Sequence, residues 1–260
     1  MKNAKPRALI LHATGTNRDE DAALALRLAG AEPEIVHLNA LKAKEKRWSD
    51  YQLLVVPGGF SYADALGAGR LLALDLSVYF ADEIAAFSEA HKPIIGICNG
   101  FQALVKAGIL PGPGQNATLS CNEEGRFECR WVRLGAPESR SLWTRGIRSR
   151  GLEIACPVAH GEGRFLSASA EELEKLKSSG QIALYYAGSD GRPAGGVYPQ
   201  NPNGSSADIA GVCNPEGNIL GLMPHPENNV LVRPTNRDPL AQEACLELWK
   251  SGVEYAKECL

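Results

Sequence analysis

Lys92-Pro-Ile-Ile-Gly-Ile-Cys-Asn-Gly-Phe-Gln-Ala-Leu-Val105 is the stretch on which the reading of this chain turns. The apolar run Ile94 to Ile97 reads as a buried strand, and a helical pattern begins just after Asn99 and Gly100. Cys98 therefore falls on a strand-to-helix turn with small residues around it, the layout of a nucleophile elbow. Such a turn projects its side chain out of the sheet and sets the sulfur near a helix N-terminus, where the dipole favours a thiolate. Asn99 and Gly100 are read as leaving space around the sulfur.

The same alternation runs outward from this segment. Arg7 to His12 reads as a first strand, and the loop Thr14 to Asn17 leads into a helix from Asp21 to Leu28 ended by Gly30. Glu34 to Leu38 and Tyr51 to Val56 read as further strands, the latter stopping at Pro57-Gly-Gly59. Leu66 to Ala90 is predicted helical in two pieces, and Pro93 to Ile97 is the fourth strand. Continuous apolar strands alternating with helices predict an α/β fold with a mostly parallel sheet covered on both faces. Sites in such sheets lie at the carboxyl ends of strands, and both Gly59 and Cys98 stand there.

The second half reads differently. Ala117 to Leu134 predicts short antiparallel strands, and Leu152 to Phe165 carries a loop from Pro157 to Arg164. Ser169 and Glu172 fit a capped helix, and Ile182 to Tyr186 reads as a strand. Ile209 to Cys213 and Ile219 to Met223 flank Asn214-Pro-Glu-Gly217, a hairpin signal. Leu240 to Tyr255 closes the chain as a helix. No repeat or linker stands out, so residues 1–260 are expected to form one mixed domain.

Composition narrows the function classes. Hydrophobic content is 44% and charged content 22%, enough for an ordinary globular core. A net charge of -3 argues against a general nucleic-acid binder. Apolar stretches stop well short of the roughly 20 residues that span a membrane. The basic start, Met1 to Arg7, is followed only by a short apolar segment ending at His12, which argues against a signal peptide. The 7 cysteines include no CxxC pair, so the reading is a reducing, cytoplasmic compartment with mostly inert thiols. Arg126 to Arg150 is arginine-rich, and is either a solvated face or a docking surface for an acidic partner.

A thiolate that attacks an amide carbonyl generates an oxyanion, which needs preorganised donors. The Asn99 backbone N–H, next after the nucleophile, is the natural first donor. The loop Pro57-Gly-Gly-Phe60 offers a second. His225 lies between Pro224 and Pro226, which restrict its backbone, and Glu227 can reach the imidazole and set its tautomer. His225 then takes the thiol proton and returns it to the leaving group. No second histidine stands at ligand spacing, so a metal site is not expected.

These residues resemble the class I, triad-type glutamine amidotransferases, and more narrowly the glutaminase subunits of phosphoribosylformylglycinamidine synthase in purine biosynthesis. The matching segments are Val56-Pro-Gly-Gly-Phe-Ser-Tyr62, Gly96-Ile-Cys-Asn-Gly-Phe-Gln102, Ala159-His-Gly-Glu-Gly-Arg-Phe165, Tyr198-Pro-Gln-Asn-Pro-Asn-Gly-Ser205 and Gly221-Leu-Met-Pro-His-Pro-Glu227. The resemblance implies a flavodoxin-like fold and hydrolysis of L-glutamine to glutamate and ammonia. It implies delivery of the ammonia to a synthetase subunit that uses ATP, magnesium and formylglycinamide ribonucleotide, with a small bridging subunit and no cofactor in this chain. Carried over residue by residue, it makes Cys98, His225 and Glu227 the catalytic triad, and Gly59 and Asn99 the oxyanion donors. Phe60, Gln102, Asn203, Gly204 and Ser205 become substrate-binding residues. One departure stands out. The family commonly has glycine before the aspartate that follows Phe-Ser-Tyr, and this chain has Ala63-Asp64.

Two other readings share the elbow. A regulatory relative would keep the fold without turnover, against which the intact triad argues. A stand-alone hydrolase would take another substrate, against which Gln102 argues.

Overall fold

Ile94–Ile97 forms a strand whose residues are all buried, as a run apolar on both faces requires. It lies beside the central strand of the sheet in the structure, a computed structural model that describes residues 4–231 and 238–259. Met1-Lys-Asn3, the start of the basic N-terminal segment, lies outside the described residues.

In chain order the elements are β1 (Arg7–His12), α1 (Asp19–Ala29), β2 (Glu32–His37), α2 (Leu38–Lys42), β3 (Leu53–Val56), α3 (Arg70–Leu74), α4 (Ala81–Glu89), β4 (Ile94–Ile97) and α5 (Asn99–Lys106). Then follow β5 (Ala117–Ser120), β6 (Glu128–Gly135), α6 (Arg145–Arg150), β7 (Ile154–His160), β8 (Arg164–Ser167), α7 (Ala170–Ser178), β9 (Ile182–Ala187), β10 (Ile209–Cys213), β11 (Ile219–Leu222) and α8 (Pro239–Lys257). One sheet takes nine of the strands in the order β2-β1-β3-β4-β11-β10-β9-β6-β7. The pairs from β2 to β11 are parallel, and those from β11 to β7 are antiparallel. Four reversals separate β11 from β7, so β4, β11 and β7 run the same way and deliver their carboxyl ends to one edge. That topology places the site.

Several local readings hold closely. Gly30 ends α1 in the left-handed conformation, φ 98°, and the Ser169 hydroxyl caps α7 by accepting the Glu172 N–H at 3.2 Å. The hairpin around residues 214–217 pairs β10 with β11 in register. Other readings change. The expected short antiparallel strands are present, but most of them extend the parallel sheet, and among the described residues only β5 and β8 pair separately. The segment from Pro157 to His160 belongs to β7 and is not a loop, because its alternate residues are buried while β6 supplies its hydrogen bonds. The Leu66–Ala90 stretch is helical in two pieces as expected, but the first begins only at Arg70, and a wider, π-type turn at residues 75–79 follows it.

Gly100 does not make room for the sulfur. A Cβ there would collide with the Val56 carbonyl of β3, so the glycine lets α5 sit directly on the sheet. Gly100→Ala is expected to push α5 off β3 at a cost of about 2–3 kcal/mol. Calorimetry should show a melting temperature roughly 5–10 °C lower, and an unchanged value would contradict the contact.

The arginine-rich segment is largely committed within the chain. Arg126 and Arg130 close on the buried Glu128 at 3.1 and 2.6 Å. Burial opposes its charge, but the two guanidiniums hold the Glu128 carboxyl below its usual value. Arg133 pairs with Glu153, Arg150 with Glu243 and Glu247, and Arg148 donates to Ser139 and Thr144. Arg140 caps the Ser179 and Pro215 carbonyls. Fixed partners of this kind reduce what the segment can offer to an acidic surface.

Candidate active site

Cys98 sits between β4 and α5 with φ 48° and ψ −104°, outside the regions that non-glycine residues normally occupy. Its N–H is anchored to the Leu222 carbonyl of β11 at 2.8 Å, and its sulfur lies 3.7 Å from the Ala159 carbonyl of β7. Strain at an over-determined turn of this kind is a feature of functional positions. Here it keeps the thiol at the sheet edge while leaving it nearly buried.

His225 follows β11 and is tied to β7 by its N–H, which donates to the Pro157 carbonyl at 2.8 Å. Its Nδ1 lies 2.7 Å from Glu227 Oε1, and both side chains are buried. The carboxylate accepts from Nδ1, which leaves Nε2 as the ring nitrogen for the Cys98 side chain, a hydrogen-bond partner of the ring. Burial alone would lower the histidine's pKa. The Glu227 carboxylate and the Cys98 sulfur outweigh it and push the value up to about 10. The ring therefore holds its proton at neutral pH. A protonated imidazole beside a sulfur favours the thiolate and is ready to protonate a leaving amine.

The two oxyanion candidates stand on the loop after β3 and at the start of α5. Asn99 is the first residue of α5, so its N–H has no carbonyl one turn back. Gly59 has φ 125°, a conformation left to glycine, and a Cβ would meet the Asn17 nitrogen at 2.6 Å. Its loop is pinned to the residue 14–16 loop by the Phe60 N–H, which donates to the Gly15 carbonyl at 3.3 Å. The Phe60 ring is partly exposed.

The other residues expected to bind substrate are differently employed. Gln102 is buried. Its amide N–H donates to the Glu162 carbonyl at 2.7 Å and its oxygen accepts from Asn99 at 3.2 Å. Asn203 donates to the Gly163 carbonyl at 2.8 Å, Ser205 Oγ accepts the Phe165 N–H at 2.9 Å, and the Gly204 carbonyl accepts from Arg164 at 3.0 Å. These three residues buckle the 161–165 loop from behind.

The sequence reading assigned no role to His160. Its Nδ1 lies 3.0 Å from Asn122 Oδ1, and the Asn122 amide N–H groups are taken by the Arg126 and His160 carbonyls. Nδ1 is therefore the protonated nitrogen, and Nε2 is a buried lone pair without a hydrogen-bond partner among the described residues. Burial, and then the charge on His225, push its pKa down to about 4, so His160 stays neutral beside a protonated neighbour. Its place in Ala159-His-Gly-Glu-Gly-Arg-Phe165 was the available signal.

The loop after Tyr62 carries strain. Tyr62, Ala63 and Asp64 have φ of 54°, 53° and 52° in succession. Left-handed geometry costs an L-residue roughly 1–2 kcal/mol. Ala63 stands where glycine would be at ease. Ala63→Gly is expected to stabilise the fold by about 0.5–1 kcal/mol, net of the entropy that glycine adds to the unfolded chain. A melting temperature that falls would contradict the strain.

A family model of the CobB/CobQ-like glutamine amidotransferase domain matches residues 5–256. The chain is 58% identical to phosphoribosylformylglycinamidine synthase subunit PurQ of Treponema denticola, over 96% of this chain and 99% of that one. It is 44% identical to the subunit of the same name from Dehalococcoides mccartyi, over 98% and 99%. Among solved structures it is similar to a chain in the structure of PurLQS from Thermotoga maritima, with TM-score 0.74, 33% identity, and 97% and 99% of the two chains covered.

Proposed function

The chain belongs to the CobB/CobQ-like glutamine amidotransferase family, and from that membership we propose that it is the glutaminase subunit of a phosphoribosylformylglycinamidine synthase. The observation that carries the reading is the convergence of Cys98, His225 and Glu227 at the shared carboxyl edge of β4 and β11. The Cys98 sulfur attacks the amide carbon of L-glutamine, and the backbone N–H groups of Gly59 and Asn99 receive the oxyanion. The His225 proton passes to the departing nitrogen, and ammonia leaves a glutamyl thioester on Cys98. His225, held by Glu227, then activates water to release glutamate. Gln102, Asn203, Gly204 and Ser205 support the loops around the substrate, and Phe60 lies at the entrance.

The ammonia goes to a synthetase subunit, with a small bridging subunit in the assembly. The synthetase uses ATP and magnesium to convert formylglycinamide ribonucleotide to the formylglycinamidine in purine biosynthesis. This chain supplies the hydrolase half without a cofactor of its own and works in the cytoplasm as one domain. Among the described residues, no helix is long and apolar enough to cross a membrane. Glutamine labelled with ¹⁵N at the amide tests the reading. With the cognate synthetase present, glutamate should be released and the label should appear in the formylglycinamidine. Absence of glutamate release would overturn it.

A further inference from the structure

The Asn99 side chain, fully enclosed behind the elbow, uses all of its hydrogen-bonding capacity. Its carbonyl accepts from the Ser61 N–H at 3.3 Å and from the Ser61 hydroxyl. Its NH₂ group donates to Asp64 Oδ1 at 2.8 Å and to Gln102 Oε1 at 3.2 Å. An amide has two acceptor sites and two donors, and all four are matched. Rotating it by half a turn would set N–H against N–H at Ser61 and oxygen against carboxylate at Asp64. The Ser61 N–H and Asp64 thus together decide which way the amide faces, and Asp64 Oδ1 is itself steadied by the Gly69 N–H at 3.4 Å.

That orientation matters because Asn99 joins both oxyanion candidates. Its own N–H is one. Through Ser61 its side chain holds the loop whose Gly59, two residues earlier, is the other. The loop is a strained left-handed turn at residues 62–64, and without a latch it has reason to relax.

We propose that Asp64 is a positioning residue for the glutaminase step, latching the Asn99 amide so that the Gly59 and Asn99 N–H groups converge on one oxyanion. This deepens the function proposed above and rests on it. Burial raises the Asp64 carboxyl above its ordinary value although the Gly69 N–H and Asn99 favour its charged form. The latch needs an acceptor at Oδ1, which an amide oxygen also supplies.

The test uses the full chain with its synthetase and measures two reactions of Cys98. In Asp64→Ala, kcat for glutamine hydrolysis is expected to fall about 10²-fold with KM changed less than about threefold, as for a lost transition-state contact. Alkylation of Cys98 by iodoacetamide should continue at the wild-type rate, because displacement at that carbon builds no oxyanion. Asp64→Asn should recover kcat to within about threefold of wild type. Unchanged kcat in Asp64→Ala would overturn the proposal. So would alkylation lost in parallel, which would mark a collapsed elbow, or an Asp64→Asn variant as slow as the alanine one. If the wild-type complex releases no glutamate, the proposed function itself fails and takes this inference with it.

Discussion

Cys98→Ala is expected to lower glutamine hydrolysis at least about 10⁴-fold while leaving the fold intact. The kinetic part follows from covalent chemistry. Without the sulfur no thioester forms, and the oxyanion donors have nothing to stabilise beyond a misplaced water. The structural part follows from the contacts. Cys98 is held in place by its backbone N–H on Leu222, which alanine keeps, while the thiol's own contacts are a long one with the Ala159 carbonyl and its interaction with the His225 ring. Alanine must accept the same φ of 48°, as cysteine does, so the stability change should stay within ~1 kcal/mol. Steady-state glutamate release with the synthetase present and a calorimetric melting temperature measure the two halves. Undiminished turnover would remove Cys98 as the nucleophile.

His225→Ala is expected to cost about 10³–10⁴-fold in kcat, and Glu227→Ala clearly less, about 10–10²-fold. The histidine moves protons in both half-reactions, whereas the glutamate orients and charges it and can be replaced in part by water. Removing Glu227 also removes the carboxylate charge, the largest single influence offsetting burial of the ring, so its pKa should drop from about 10. The linkage has a definite sign. The folded value lies above the unfolded value of about 6.5. The stability supplied by this proton is therefore complete below about pH 6.5 and is lost as pH rises toward 10. Urea unfolding across that window should show the loss in wild type and a flatter profile in His225→Ala. Equal kinetic losses for the two variants, or a reversed order, would contradict the roles.

Much of this was legible in the sequence for a physical reason. A strand buried on both faces leaves an unbroken apolar run, so Ile94 to Ile97 announced itself, and the small residues after Cys98 were read as leaving space around the sulfur. What Gly100 makes room for was not legible, since it yields to the Val56 carbonyl, a contact between segments far apart in the chain. The second half was harder. Strand β7 alternates buried and half-buried residues and contains Pro157, so its end resembled a loop until β6 was seen to pair with it.

The site followed the same division. Cys98, His225 and Glu227 carry side chains whose chemistry names them. Gln102, Asn203 and Ser205 are polar residues that bond backbone groups of other loops, and no local pattern records those partners. His160 and Asp64 were overlooked for a related reason. Each acquires its meaning from a buried amide, Asn122 for the one and Asn99 for the other, that lies 38 and 35 positions away.

The claim at the centre of this account is that Cys98 carries the glutamyl group while ammonia departs. Acid quenching of the chain during glutamine turnover with its synthetase, followed by peptide mass spectrometry, measures it directly. The account predicts the mass increment of one glutamyl group on the peptide containing Cys98, lost as glutamate is released and absent from Cys98→Ala. Glutamate accumulating while Cys98 stays unmodified under trapping conditions, or the glutamyl group found on another residue, would contradict it.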